Sequence, residues 1–154
     1  MGLLDKVLGT SQIEDEDEDD WWDTIEYFTK EEMACNCGHK DCPRHGMAFM
    51  QMKRLDQLRR AYGGPLAVSS GFRCRNHSRE RHKNFPGSHV EGKATDIPIF
   101  GSNARTLIGL AIKCGFGGIG VYQSGDISSR FVHVDTVSPT SYRSRPWIWT
   151  YDFP

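Results

Sequence analysis

The stretch "SRFVHVDTV", residues 129–137, restricts the fold of this chain more than any other. In an extended strand, alternate side chains point to opposite faces, so Phe131, His133 and Asp135 share one face and Val132 and Val134 the other. The valines suit a core, which leaves an imidazole and a carboxylate together on the opposite face. Just upstream, "GGIGVYQ" (117–123) has the same extended character, and "SGDIS" between the two segments supplies a turn. Two such runs joined by a short Gly-containing connection predict an antiparallel hairpin.

The remaining elements can be placed around that hairpin. "ATDIPIF" (94–100) and "LAVSSGF" (66–72) read as further strands. "MAFMQMKRLDQLRRA" (47–61) has apolar positions at Met47, Met50, Leu55 and Leu58 with basic residues between them, an amphipathic helix ended by Gly63-Gly64-Pro65. "SNARTLIGLAIKCGF" (102–116) predicts a second helix, capped by Ser102 or Asn103 and stopped at Gly115. Thr29 with Glu32 three residues later forms a capping-box pattern, which predicts a helix start at "TKEEM". "MGLLDKVL" reads as a short amphipathic helix, and the aromatic tail "RPWIWTYDF" (145–153) is expected to pack back on the domain. Together these predict an α+β fold, a small and mainly antiparallel sheet flanked by helices.

At 154 residues, 38% hydrophobic and 25% charged, the chain suits one soluble globular domain. No apolar run approaches the roughly 18–20 residues of a membrane span, so no membrane partner is expected. The opening "MGLLDKVLG" is too short and polar for a secretory signal, and export by that route is not expected. Residues 14–20, "EDEDEDD", form an unbroken acidic block. Such a block stays solvated or docks on a basic partner. The predicted organisation is therefore an acidic tail or docking segment over residues 1–22 and a domain over 23–154. The chain's net charge of −1 includes that block, so the rest of the chain is net positive and suits an anionic substrate.

"GSHVEGKATD" (87–96) has neither helical nor strand periodicity, and it carries His89 and Asp96 seven residues apart. With His133 these make two imidazoles and one carboxylate, the ligand set of a catalytic zinc site with one position left open. Gly92 allows a sharp backbone turn between the first two, and Ala94 leaves room beside a metal. The spacing by itself is equally consistent with a pair of surface histidines.

Four segments, in order, carry a resemblance: "SSGFR" (69–73), "SHVEGKATD" (88–96), "GFGGIGVY" (115–122) and "FVHVDT" (131–136). They resemble the zinc D-Ala-D-Ala carboxypeptidase and L-alanyl-D-glutamate endopeptidase family, over roughly residues 28–149. Ser88, His89, Gly92, Ala94 and Asp96 fall on the family's signature. The resemblance implies the fold shared with the hedgehog signalling domain, and hydrolysis of peptide bonds in peptidoglycan stem peptides. It implies His89, Asp96 and His133 as zinc ligands, Arg73 as the group gripping a substrate carboxylate, and Ser88, Tyr122 and Trp147 near substrate. Many relatives carry an acid three residues before the last histidine ligand, where this chain has Arg130. Asp135 is then the candidate general base, with an orienting role toward a ligand histidine as its alternative. Glu91 and Asp126 are weaker candidates. In so small a chain the resemblance suggests a phage product, made in the host cytoplasm. It would act on the cell wall as an endolysin or as a virion tail component, its acidic segment docking on other tail proteins.

"CNCGHKDCPRH" gathers Cys35, Cys37 and Cys42 with His39 and His45, and Cys74 follows Arg73. With Cys74 or His45 as fourth ligand these suit a second, structural zinc, while free thiols or one local disulfide remain open alternatives. Cys114 reads as a core residue. Two other function classes compete with a peptidase. A non-catalytic wall-binding or structural module would be marked by a lost metal ligand, and none is lost. A nucleic-acid binder is suggested by "RCRNHSRERHK", but that run lacks interleaved aromatics and the acidic block opposes it, so no nucleic-acid partner is expected.

Overall fold

The computed structural model describes residues 20–153, so the acidic block up to Asp19 and the helix expected at "MGLLDKVL" lie outside the described residues. A 3-10 turn at Asp20–Thr24 leads to helix α1 (Phe49–Tyr62), strand β1 (Ala94–Pro98), helix α2 (Gly101–Lys113) and strand β2 (Gly118–Tyr122). A short 3-10 turn at Ile127–Ser129 follows, then strands β3 (Phe131–Asp135) and β4 (Trp147–Thr150). The sheet order is β1-β3-β2-β4. β3 lies antiparallel between β1 and β2, and β4 adds to β2 in parallel. This is the expected α+β architecture, with the predicted hairpin at its centre.

Val132 and Val134 are fully buried against the helices, so β3 presents its faces as its alternation requires. α1 contributes Met52, Leu55 and Leu58, and α2 contributes Ala104, Leu107 and Ala111. Gln51 crosses the layer boundary: its amide nitrogen donates to Thr95 Oγ1 and to the Val134 carbonyl, each at 3.2 Å, pinning α1 to β1 and β3. Asp56, also buried, accepts from the backbone nitrogens of Glu26 (2.7 Å) and Tyr27 (3.1 Å) and anchors the incoming chain. Trp21 stacks on Trp22 and meets the edge of Phe49, so the tryptophans after the acidic block pack on α1.

Several elements differ from their sequence reading. Met50 is 52% exposed and Met47 precedes the helix, because α1 begins at Phe49 and turns the 52-55-58 row inward. The Thr29–Glu32 capping pair forms, with Thr29 N to Glu32 Oε2 at 2.8 Å and Glu32 N to Thr29 Oγ1 at 3.2 Å. It closes a single turn, since Cys35 N then leaves to bond Arg44 O at 2.7 Å. "LAVSSGF" is not a strand. Only Ser70 bridges β1, through Asp96, before Phe72 N turns to Met33 O and Arg73 N to His89 O. α2 has Phe100 at its N-cap with no side-chain cap, and Gly101 N donates instead to Gln123 Oε1 at 3.1 Å. The aromatic tail does return, as β4 along β2. No helix among the described residues is long and apolar enough to cross a membrane.

Candidate metal and catalytic site

The face of β3 opposite the core carries the site. His133 is opposite Asp96 on β1 and Gly120 on β2, and Asp135 is opposite Ala94 and Gly118. His89 reaches the same point from the turn at residues 87–92. Gly92 there has φ +66°, and any side chain on it would collide with the Gly46 carbonyl. His89, Asp96 and His133 are all buried, and their ligand atoms lie within 4.8 Å of one another.

The protonation pattern of the two imidazoles follows from their partners. His89 Nδ1 is 2.7 Å from the Gly71 carbonyl, which can only accept, so Nδ1 carries the proton and Nε2 presents a lone pair. Burial holds the His89 pKa below the ordinary histidine value, which keeps the ring neutral. That lone pair nevertheless faces Asp96 Oδ1 at 3.2 Å. His133 Nδ1 faces the same oxygen at 2.9 Å, and its Nε2 faces Asp135 Oδ2 at 2.9 Å. Burial alone would raise the Asp96 pKa, but the two imidazoles against its Oδ1 keep it well below the usual carboxylate range. Two ring nitrogens and a carboxylate oxygen thus converge with fewer protons than acceptors. Such a donor set fits a divalent cation better than a hydrogen-bond network.

Around the candidate ligands several polar groups are committed to one another. Asp96 Oδ2 accepts from Arg73 Nη2 at 2.8 Å, and Arg73 Nε donates to Ser70 Oγ at 2.8 Å. Arg73 Nη1 meets Glu80 Oε1 at 3.4 Å, and Glu80 is itself buried and paired with Lys83. Asp135 is fully buried. Its two oxygens accept from Arg145 Nε (2.9 Å) and Nη2 (2.7 Å) as well as from His133. Burial works against that carboxylate, but His133 and Arg145 prevail and hold its pKa at about 2.

Two clefts open onto this centre. The larger, about 490 Å³, is lined by Ser69, Ser70, Arg73, His77, Arg79, Asp96, Tyr122 and Arg130 among others. The smaller, about 230 Å³, is lined by Arg79, Lys83, Ser88, His89, His133, Arg143, Trp149 and Tyr151 among others. Asp96 is the sole carboxylate on either wall among the described residues, against a ring of arginines. Burial pushes the Tyr151 phenol pKa well above the ordinary tyrosine value, so it stays protonated.

The structure thus brings together His89, Asp96, His133, Arg73 and Ser88, and places Tyr122 on the larger cleft. Asp135 must be reassigned from the base role. It lines neither cleft, both its oxygens are taken, and a carboxylate with a pKa of about 2 is a poor proton acceptor. Neither alternative acid takes its place: Glu91 is paired with Arg143 at 2.6 Å, and Asp126 caps the Ile127–Ser129 turn. Trp147 also stands apart, 57% exposed and on neither cleft. Its neighbour Trp149 is the one against His133, ring centroids 5.2 Å apart.

Trp149, Tyr151, Arg145 and Glu80 were missed. The period-2 aromatics of "WIWTYDF" were the available signal for the first two, read together with Gly120. A Cβ on Gly120 would come within 2.7 Å of Tyr151 Oη and 2.8 Å of Trp149 Cε2. A Cβ on Gly118 would run into the Asp135 carboxylate. Gly118 and Gly120 of "GFGGIGVY" are therefore spaces for β3's functional face and the returning tail. Gly118→Ala is expected to expel Asp135 from its pairing with Arg145, at a cost of about 3–5 kcal/mol, the usual penalty for breaking a buried pair. A thermal melt checks this, and an unshifted midpoint would refute it.

The cysteines form a second cluster. The sulfurs of Cys35, Cys37, Cys42 and Cys74 lie within 4.8 Å of one another. His45 is not among them; its Nε2 pairs with Glu31 at 3.2 Å. Cys114 stands apart on the α2 C-cap.

Among comparisons with known proteins, a family model described as Peptidase M15 matches residues 26–135. No curated protein and no solved structure gives a match. The matched stretch holds all three candidate metal ligands and covers most of the chain, and the protein belongs to the Peptidase M15 family.

Proposed function

We propose that the protein is a zinc peptidase that hydrolyses peptide bonds in peptidoglycan stem peptides. The observation that carries this reading is the convergence of His89 Nε2, His133 Nδ1 and Asp96 Oδ1 at the base of clefts walled by cations. A zinc ion held by these three atoms supplies a Lewis acid that polarises a peptide carbonyl and activates water. The Gly71 carbonyl and Asp135 fix the outer nitrogens of the two rings, so that the inner lone pairs point at one place. Tyr151, protonated at all working pH values, is a donor for the negative charge that develops on the carbonyl oxygen. Arg79, Arg130 and Lys83 on the cleft walls suit a peptide that carries free carboxylates, as wall stem peptides do.

Arg73 has a second task beside substrate binding, because its guanidinium holds the outer oxygen of a ligand carboxylate. Lysine offers no planar fork, so Arg73→Lys is expected to lower zinc affinity about 10–100-fold, as loss of an orienting partner does. Arg79→Ala is expected to raise KM about tenfold or more and leave zinc bound, the size of one lost charge-assisted hydrogen bond. Zinc competition with a chelator and steady-state kinetics separate the two. Equal zinc affinity in wild type and Arg73→Lys would remove Arg73 from the ligand shell. The function itself is tested by digesting purified sacculi with and without chelator and identifying the new termini by mass spectrometry. Chelator-sensitive stem-peptide cleavage supports the reading, and intact sacculi under zinc-replete conditions overturn it.

A further inference from the structure

We propose that Cys35, Cys37, Cys42 and Cys74 bind one structural zinc ion, and that this ion holds in place the segment Gly71–Cys74 which orients two ligands of the catalytic centre. The four sulfurs come from two separate stretches of chain, and all four are free thiols. Zinc–thiolate bonds of about 2.3 Å place the sulfurs of a tetrahedral site about 3.8 Å apart. The Cys37 and Cys74 sulfurs are 3.5 Å apart, and no pair in the group exceeds 4.8 Å.

The surrounding backbone is arranged for thiolates. His39 N donates to Cys37 Sγ at 3.4 Å, Arg44 N to Cys42 Sγ at 3.3 Å and Cys74 N to Cys35 Sγ at 3.3 Å. Amide donors to sulfur favour the charged form that a metal binds. The segment from Ala34 to Ala48 has no helix or strand of its own, yet it buries Cys35 and Met47. A metal cross-link explains how such a loop keeps one conformation.

The loop also touches both supports of the catalytic centre. On one side Phe72 N donates to Met33 O at 2.9 Å, and Gly71, whose carbonyl anchors His89, lies against Met33. Cys74 directly follows Arg73, the partner of Asp96. On the other side Gly92 lies against the Gly46 carbonyl, and Ala48 N donates to Gly92 O at 2.8 Å. Release of the cluster would therefore loosen the two backbone segments that aim His89 and Asp96.

The test uses the full chain and its His89→Ala/His133→Ala variant, which lacks two of the three catalytic ligands but keeps the cluster. Wild type should hold about two zinc equivalents by elemental analysis and the double variant about one, the remaining ion being bound tightly enough to contribute to folding. Replacing that ion with cobalt(II) should give sulfur-to-cobalt charge-transfer absorption and the visible bands of a tetrahedral centre. Cys37→Ser/Cys42→Ser should lose one equivalent and melt at lower temperature. A double-histidine variant that binds no metal, or a cobalt spectrum without thiolate bands, overturns the proposal. So does a thiol titration showing that the four cysteines are paired as disulfides in the purified protein. These readouts do not depend on wall hydrolysis, so the thiolate site and the peptidase reading stand or fall separately.

Discussion

His89→Ala is expected to abolish stem-peptide hydrolysis while the domain stays folded. The substitution removes one of three candidate ligand atoms, and a carboxylate and one imidazole do not hold zinc in the geometry a catalytic site requires. Its structural cost is smaller than its chemical one. The Gly71 carbonyl loses its partner, worth about 1–3 kcal/mol for a buried acceptor left unpaired. That is a fraction of the roughly 5–15 kcal/mol that holds a domain together. Mass spectrometry of digested sacculi should show no new termini, and a thermal melt should still show a cooperative transition. Turnover close to wild type would exclude His89 as a ligand.

Asp135→Asn should have the next largest effect, through the metal and not through proton transfer. An amide can accept from His133 or from Arg145 with its single oxygen, and its nitrogen then faces a donor. His133 loses the partner that fixes which nitrogen bears the proton, and Arg145, 9% exposed in its side chain, keeps a charge with no counterion. Zinc affinity should fall about 10–100-fold, and added zinc should restore the rate. A general base would behave differently, with zinc retained and a rate loss of about 10²–10⁴-fold that no zinc concentration repairs. Titrating activity against zinc distinguishes the two. A zinc-independent loss would return the base role to Asp135.

The sequence pattern was most informative where one periodicity governs. In β3 the alternation of valine with His133 and Asp135 gives both the buried face and the functional one. Of the candidate metal ligands only His133 was legible from that alternation; His89 and Asp96 were read from their residue types and the resemblance, and Gly92 because a turn between them needs a residue free to adopt positive φ. The role of Asp135 was not legible, because alternation places it beside His133 without telling that Arg145 reaches it from ten residues away. "LAVSSGF" has strand composition, yet its amides bind Asp96 and Met33 in turn, and tertiary partners overrode its propensity. Trp147 and Trp149 are equivalent by pattern. Only the parallel register of β4 beside β2, with Trp149 opposite Gly120, decides which of them meets His133.

That parallel strand has an evolutionary consequence. The family match ends at Asp135, so it takes in every candidate metal ligand but none of Arg145, Trp149 and Tyr151. Those three belong to the returning tail, which fits onto the sheet because Gly118 and Gly120 leave space. The candidate ligand set and one wall of the smaller cleft are thus encoded on successive stretches of chain that can change at different rates. Mutation in the tail can remodel which peptide is accepted while the ligand set stays untouched. One restraint on it is a cation at position 145, since without it the carboxylate behind His133 would be buried with no positive partner from outside the site.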